Sequence, residues 1–523
     1  LPLQSRWTAA GWSYTAAAGS GLLLTAAFPD VSLSGLAFVA LVPLLAAVAG
    51  PRPSGAFRFG FIAGLVHYGT LLSWVVYTMG TYGRLPLWLS VPVLGLLAAY
   101  LSVYPAAFAA LMSRLHIPSW TLAPAAGAVW TALEYLRAHL LTGFPWELLG
   151  YSQHHRLTLI QAADVTGVYG ISFVIVTINA ALFLLLWRIF RCRWQDAPVT
   201  LRACTSAVLL GLLCLGGAAG YGRWRLAQVD DLVAVAPKPT VAVIQGNIDQ
   251  ARKWDPAFQA ATVDKYLRLS LKALGGFPDL VVWPETATPF YLHESSALAE
   301  QVVRFVRGAN VPFLVGSPFY RERGGKIDYF NSAYLLSADG DVVGRYDKVH
   351  LVPFGEYVPL RRLLPFVGKM VPQVGDFKPG RQGTVLRWGD RGVGVQICYE
   401  VIFPSLARQM TANGAGLLVN ITNDAWFGRT AAPRQHFSMA VFRAVENRRT
   451  LVRAANTGIS GFIGPDGKVL ARTGLFTDAA LGQPVPLLSE QSIYTRFGDL
   501  WARGCLIAVA VMIAAGWRPR KRW

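Results

Sequence analysis

Residues 391–400 read Arg-Gly-Val-Gly-Val-Gln-Ile-Cys-Tyr-Glu, a short β-branched run from Val393 to Ile397 that stops on Cys398-Tyr399-Glu400. A run of this length with punctuation at both ends reads as a buried strand. Six more such runs lie around it, at Val241–Ile244, Leu280–Trp283, Val311–Val315, Ala333–Leu336, Leu417–Ile421 and Leu451–Arg453. Helical patterns fall between several of them, at Ala257–Leu274, Ser296–Arg307 and Phe437–Asn447, and Asp339-Gly340 and Asp466-Gly467 have the chemistry of hairpin turns. Alternating strands and helices predict a layered α/β domain, placed here at residues 237–489.

The chain on either side is a different material. Seven apolar segments precede the domain, near Gly11–Phe28, Leu33–Ala49, Phe57–Met79, Leu87–Leu111, Trp120–His139, Val168–Ile189 and Leu201–Tyr221, and an eighth follows at Leu500–Trp517. Crossing a bilayer takes about 20 mainly apolar residues, so a bundle of about eight transmembrane helices is expected. Residues 1–221 hold seven of them, 222–236 form a linker, and 490–523 hold the last helix and a basic tail. The first segment continues into this multi-span pattern and is expected to be a membrane helix, not a cleaved signal peptide.

The formal charge of +19 points to orientation and not to nucleic acid, because the basic residues sit in short connectors and form no patch interleaved with aromatics. One set of connectors carries Arg6, Arg52, Arg58, Arg114, Arg188, Arg191, Arg193, Arg202 and the tail Arg518, Arg520, Lys521 and Arg522. The opposite set carries Arg84, Arg137 and Arg156. The first set is therefore expected in the cytoplasm with both termini, and the domain on the periplasmic side of an inner membrane.

Of five cysteines, Cys192, Cys204, Cys214 and Cys505 lie in or beside predicted membrane helices, which leaves Cys398 without a disulfide partner in its domain. Polar residues also close other strands: Trp283-Pro284-Glu285-Thr286 ends one, and Asp347-Lys348 follows a hairpin. Singly, each has a bland reading, Cys398 as a small buried hydrophobe and Glu285 or Lys348 as surface charges. Together they supply what thiol acyl transfer needs. A thiol with a pKa of about 8.5 is mostly protonated at neutral pH, so a base or a cation must favour the thiolate. Glu285 is placed to take the proton, and Lys348 to stabilise thiolate and oxyanion, helped by a backbone N–H after Cys398. None of the eight histidines forms a Cys–His or metal-ligand pattern, so neither metal nor cofactor is expected.

These residues resemble a known family. The WPET motif with Glu285, the stretch Asp347-Lys348-Val349-His350-Leu351-Val352-Pro353-Phe354-Gly355-Glu356, and Cys398-Tyr399-Glu400 resemble the Glu-Lys-Cys pattern of the nitrilase superfamily, in the version carried by apolipoprotein N-acyltransferases. Asn420–Gly428, Gln435-His436 and Asn456-Thr457-Gly458 are similar to that family too, as are Thr142–Trp146 and Gly150–Gln153 in the membrane half. The resemblance implies an α-β-β-α sandwich standing on eight membrane helices. It implies a two-step reaction: Cys398 takes an acyl chain from a phospholipid, commonly the sn-1 chain of phosphatidylethanolamine, and the thioester passes it to the α-amino group of an N-terminal diacylglyceryl-cysteine on an apolipoprotein. Trp254, Asn331, Glu356, Tyr399 and Glu400 match family positions linked to activity. Glu356 would orient Lys348, and Tyr399 and Glu400 would shape the nucleophile turn; a buried structural role is the competing reading for each.

Residues 359–372 (PLRRLLPFVGKMVP) mix apolar and basic side chains in a way that suits a lipid interface, and are expected to form a loop that acts as a lid. Gly461–Lys468 (GFIGPDGK) is off the spacing of a phosphate loop and lacks its Ser or Thr, so it reads as strand and turn. His154-His155 lack a third metal ligand. Two rival functions remain. A membrane-anchored amidase or nitrilase would use the same triad on a small substrate, but needs no bundle of eight spans. A transporter or lipid-binding protein would need intramembrane charges; Glu134 and Arg137 are the clearest, and they lie near a helix end.

Overall fold

The computed structural model describes residues 10–50, 53–115, 117–195, 197–357 and 377–516. They form two compact units, one built from the chain up to Val76, Pro86–Arg225 and the chain from Phe497, the other from Tyr77–Leu85 and Leu226–Arg496.

The first unit is helical: α1 (Ala10–Ala26), α2 (Val42–Val48), α3 (Pro53–Leu71), α4 (Trp74–Thr81, whose end passes into the second unit), α5 (Leu87–Arg114), α6 (Leu122–His139), α7 (Val168–Ile189), α8 (Leu201–Val235) and, after the second unit, a last helix at Leu500–Gly516. Among the described residues α5, α7 and α8 are long and apolar enough to cross a membrane, and α3 with α4 counts as a fourth span if the pair is taken together. The segment expected as one helix over 57–79 is bent by 50° between α3 and α4. The Thr70 hydroxyl donates back to the carbonyl of Val66 at 2.7 Å, a bond that competes with the helix ladder at this point. Helix α8 runs through most of 222–236, the stretch expected as a linker, because no breaker interrupts it before Pro237. Close packing of α3 on α5 depends on Gly60 and Gly64: a Cβ on Gly60 would meet the Pro105 carbonyl oxygen and Ala106 Cα, and one on Gly64 would lie 2.8 Å from Ser102 Cα. Glu134 and Arg137 are buried and serve local structure. Glu134 Oε1 accepts from Trp130 Nε1 and from Leu149 N, and Arg137 donates to the carbonyl of Trp146, so the pair fastens the 146–149 connector.

In the second unit the strands are β1 (Thr240–Gln245), β2 (Leu280–Val282), β3 (Phe313–Arg323), β4 (Lys326–Leu336), β5 (Val342–Asp347), β6 (Val385–Trp388), β7 (Arg391–Ile397), β8 (Leu417–Thr422), β9 (Thr450–Ala455), β10 (Gly461–Ile463), β11 (Val469–Arg472) and β12 (Ala479–Pro484). They make two six-stranded sheets, ordered β12-β1-β2-β3-β4-β5 and β11-β10-β9-β8-β7-β6. At the centre of each the pairing is parallel, β1 with β2 and β2 with β3 in one and β7 with β8 and β8 with β9 in the other, and the paired stretches are buried on both faces. Helices α9 (Pro256–Leu274) and α10 (Ala297–Ala309) cover the first sheet; Val263, Tyr266, Val302 and Val306 meet Ile244, Trp283, Phe313 and Val315 in one buried cluster. Helices α11 (Pro404–Ala412) and α12 (Ala432–Asn447) contact the second sheet, and β1 and β4 of the first sheet contact β9 and β7 of the second. The layering is α-β-β-α, and the Gly461–Lys468 stretch is the β10 strand with its turn.

Candidate active site

Cys398 follows β7 with φ +53°, in the left-handed region that a side chain with a Cβ normally avoids. The turn is held in place by its surroundings. The Cys398 carbonyl accepts from Asn420 Nδ2 at 3.4 Å and faces His436 Nε2 at 3.2 Å. The Cys398 carbonyl only accepts, so His436 Nε2 carries a proton and gives it to that oxygen, while Nδ1 lies 2.9 Å from the Arg453 guanidinium and 3.1 Å from Asp424 Oδ1. Burial, then the Arg453 charge, lowers the His436 pKa. Arg453 also donates to Asp424 Oδ2 at 2.8 Å and to Asn420 Oδ1.

Glu400, two residues on, is fully buried and ties this turn to the other sheet. Its Oε2 accepts from Ile397 N at 2.7 Å; its Oε1 accepts from Val349 N at 2.6 Å and His350 N at 3.0 Å, and the Tyr346 hydroxyl donates at 2.9 Å. Burial pushes the carboxyl upward, but donors of this number on both oxygens call for the ionised form.

Lys348 stands one residue past β5, where its N–H is bonded to Asn331 O. Its side chain is 1% exposed and its Nζ lies 2.9 Å from Glu356 Oε1 and 3.8 Å from Glu285 Oε1. Burial works against the charge, but Glu356, then Glu285, outweigh it and hold the Lys348 pKa above the usual lysine range. Asn331 bridges the carboxylates, its Nδ2 donating to Glu285 Oε1 at 2.7 Å and to Glu356 Oε1 at 3.0 Å. Glu356 Oε2 accepts from Val352 N at 2.8 Å and Glu285 Oε2 from Asn423 N at 2.8 Å. The turn carrying Glu285 lies tight against β3: a Cβ on Gly316 would sit 2.7 Å from Thr286 N and 2.8 Å from Glu285 Cα.

The Cys398 thiol is pushed up to about 12, by burial first and the Glu285 charge second, with Lys348 pulling the other way. Its resting form is therefore the protonated thiol, and a base must take the proton as sulfur attacks. Glu285, Lys348, Glu356 and Asn331 thus share one buried network, and the charges of Glu285 and Lys348 act on Cys398. Tyr399 packs its ring on Phe403 at 5.2 Å, and Phe403 stacks on His350 at 3.7 Å. Trp254 is half-buried in the turn before α9, and the contact that this turn makes with the site comes from its neighbour Lys253, which donates to Glu285 O at 3.0 Å. Residues 359–372, expected as a lid, lie outside the described residues.

Sequence reading did not single out Lys253, nor Asn423 and the Asp424–His436–Arg453 cluster as supports of the acid–base and nucleophile turns. The motif blocks NITNDAWFG and Gln435-His436 contained most of them without revealing their partners. Among the described residues no group of three or more His, Cys, Asp or Glu is arranged to hold a metal.

The segment Tyr77–Leu85 belongs to this unit and packs against the loop after Asn423. Thr78 Oγ1 donates to Trp426 O at 2.9 Å, and Tyr82 OH donates to Ala425 O at 2.8 Å.

Two family models match the chain: "Apolipoprotein N-acyltransferase N-terminal domain" over residues 20–181 and "Carbon-nitrogen hydrolase" over residues 240–485. The apolipoprotein N-acyltransferase of Geobacter metallireducens is 47% identical over 97% of this chain and 96% of its own length. That of Haemophilus influenzae is 32% identical over 94% and 92%. Among solved structures, an amidase from Nesterenkonia sp. aligns at 23% identity over 51% of this chain and 97% of its own, with a TM-score of 0.37.

Proposed function

Because the chain belongs to the apolipoprotein N-acyltransferase family, a family of acyltransferases with a nitrilase-like domain, we propose that it moves a phospholipid acyl chain through Cys398 to the α-amino group of lipoprotein N-terminal cysteines. The observation that carries the mechanism is the buried Glu285–Asn331–Glu356–Lys348 network facing a strained, protonated Cys398.

In the first step Glu285 takes the Cys398 proton as sulfur bonds to the ester carbonyl carbon. The oxyanion faces the Lys348 ammonium and a backbone N–H after Cys398. The carbon–oxygen bond then breaks, the departing glycerol oxygen takes the proton from Glu285, and a thioester and a lysophospholipid remain. In the second step the amino group of a diacylglyceryl-cysteine attacks the thioester. Glu285 removes the proton that the new amide sheds and returns it to the leaving Cys398 sulfur. Glu356 and Asn331 fix Lys348 and Glu285 throughout, and preorganised charge of this kind contributes on the order of 10²–10³ in rate per donor.

The donor we propose is phosphatidylethanolamine, the acceptors are diacylglyceryl apolipoproteins, and residues 237–489 act on the periplasmic side of an inner membrane crossed eight times, with both termini cytoplasmic. The rival small-substrate amidase is not favoured, because the acyltransferase relatives match nearly the whole chain, helical unit included. Intact-protein mass spectrometry tests the reading. Detergent-solubilised protein given phosphatidylethanolamine should gain one acyl mass, lose it to hydroxylamine and pass it to a diacylglyceryl-cysteine peptide; Cys398→Ser should do none of these. A serine variant that acylates the peptide at the wild-type rate rejects the thioester route.

A further inference from the structure

Lys253 is 1% exposed, as deeply buried as Lys348, yet it has no part in the mechanism above. Lysine is almost never buried without a partner, and an ammonium has three protons to place. One of these goes to Glu285 O at 3.0 Å, the carbonyl of the residue assigned as base. The groups whose charges act on Lys253 are the Glu285 carboxyl, at the end of β2, and the Cys398 thiol, at the end of β7. Its charge therefore acts on the two groups between which the proton moves, from a position fixed at the Glu285 main chain.

We propose that Lys253 is a positioning residue and the second cation of this site: it fastens the main chain of the Glu285 turn and lends positive charge to the Cys398 sulfur as its proton leaves. The inference rests on the acyl-transfer reading for its rate effect, but its effect on the thiol stands independently of the substrate. The charge pattern explains why one lysine does not suffice. Before the transfer Glu285 and Glu356 bring two negative charges to the site and Lys348 one positive charge; once Glu285 has taken the proton, Glu356 still offsets Lys348, so the sulfur's new charge has no cation to itself without Lys253. The two lysines also differ in how firmly they hold their protons. Burial lowers Lys253 to about 8 against the pull of Glu285 and Cys398, whereas Lys348 is held above the usual range. The charge of Lys253 is thus lost as pH rises through about 8 while that of Lys348 persists, and a step that uses both falls on the alkaline side.

The test compares full-length wild type with Lys253→Met, which keeps the stem and removes the charge, and Lys253→Arg, which keeps a charge that does not titrate. Two readouts are taken across pH 6 to 10. Iodoacetamide modification of Cys398, followed by peptide mass spectrometry, reads the thiol without any lipid; the acyl adduct formed from phosphatidylethanolamine reads the reaction. We expect Lys253→Met to slow Cys398 alkylation about tenfold at pH 6 to 7, where wild-type Lys253 is charged, with the gap closing above pH 8, to slow acyl-adduct formation at pH 7 on the order of 10²-fold, and to lose the alkaline fall. Lys253→Arg should acylate far faster than Lys253→Met and stay active above pH 8. A wild-type alkylation rate at pH 6 to 7 in Lys253→Met overturns the proposal. So does equal inactivity of both variants with equally lowered melting temperatures, which marks a purely structural lysine. If wild type itself forms no acyl adduct, the acyl-transfer reading fails, and the alkylation rate at pH 6 to 7 still decides the role of Lys253.

Discussion

Replacing Glu400 by glutamine changes one atom pair and asks whether the two sheets are pinned together at the site. The carboxylate meets N–H groups from both sides: Ile397, at the end of β7, on Oε2, and Val349 and His350, after β5, on Oε1. An amide has one oxygen to offer. If that oxygen keeps Val349 and His350, the new NH2 points at the Ile397 N–H; if it keeps Ile397, two N–H groups lose their acceptor. The Tyr346 hydroxyl is able to turn and accept, so it relieves none of these backbone donors. A buried donor left without a partner costs about 1–3 kcal/mol, and bonds to a charged acceptor are the stronger kind. The expected loss is therefore about 3 kcal/mol. At about 2–4 °C per kcal/mol for a domain of this size, the melting transition should fall by about 6–12 °C.

The same bonds set the distance between Lys348, one residue before Val349, and Cys398, one residue after Ile397. A misplacement on the order of 1 Å between reacting groups costs about 10²-fold in rate. Acyl-adduct formation measured well below the lowered melting temperature should therefore still be slowed about 10²-fold. Wild-type melting and a wild-type acylation rate in Glu400→Gln would refute the clamp. A lowered melting temperature with an intact rate would show that Glu400 holds the fold but not the Lys348–Cys398 geometry.

Three further substitutions test other parts of the site. Asn331→Asp replaces the shared donor between Glu285 and Glu356 by a third carboxylate, and should slow acyl-adduct formation at least about 10²-fold at pH 7; a rate within threefold of wild type in the same mass-spectrometric assay contradicts it. Asp424 is fully buried, and although burial alone would raise its pKa, Arg453 and then His436 hold it well below the usual carboxylate range. Its stabilisation is present above the unfolded value of about 3.9 and is lost only as pH falls through the lower folded value. Asp424→Asn should cost about 3–5 kcal/mol, since it strands the Arg453 charge, with a deficit constant above about pH 4 and narrowing in stronger acid; denaturant melts at several pH values check this, and a deficit that widens in acid has the wrong sign. Gly316→Ala should push the Glu285 turn off β3 and depress acylation more than it lowers the melting temperature, a split visible when both are measured on the same preparation.

Local pattern carried the strands whose burial is complete. Every residue from Val241 to Ile244 and from Leu417 to Ile421 is covered on both faces, so hydrophobicity alone marks them. It failed where a strand is half solvated: β3 and β4 run on to Arg323 and from Lys326 through a polar tip turned by Gly324-Gly325, and only their apolar halves were legible. Strand β5 was marked only by its Asp339-Gly340 turn, strands β6 and β12 passed unread for the same reason, and α11 because the whole helix is only nine residues long. In the helical unit, apolar length located the segments but not the bend after Leu71.

The site divides along the same line, between what chemistry demands of a residue and what geometry demands of it. Cysteine, glutamate and lysine at strand ends can be read because few other side chains perform their steps. The residues that support them are ordinary polar types whose meaning is a partner far away in sequence. Asn423 matters because its backbone N–H reaches Glu285, 138 positions earlier, and Lys253 because its ammonium finds the same residue 32 positions on. Gln435-His436 stands out in sequence only as part of a resemblance; the role of His436 depends on its Nε2 meeting the carbonyl of Cys398, which is held in a backbone conformation that costs energy by itself. A strained nucleophile turn needs several such supports at once, which come from β8, β9 and α12. Substitutions that impair the site without touching Glu285, Lys348 or Cys398 should therefore cluster in these contacts rather than along the motif.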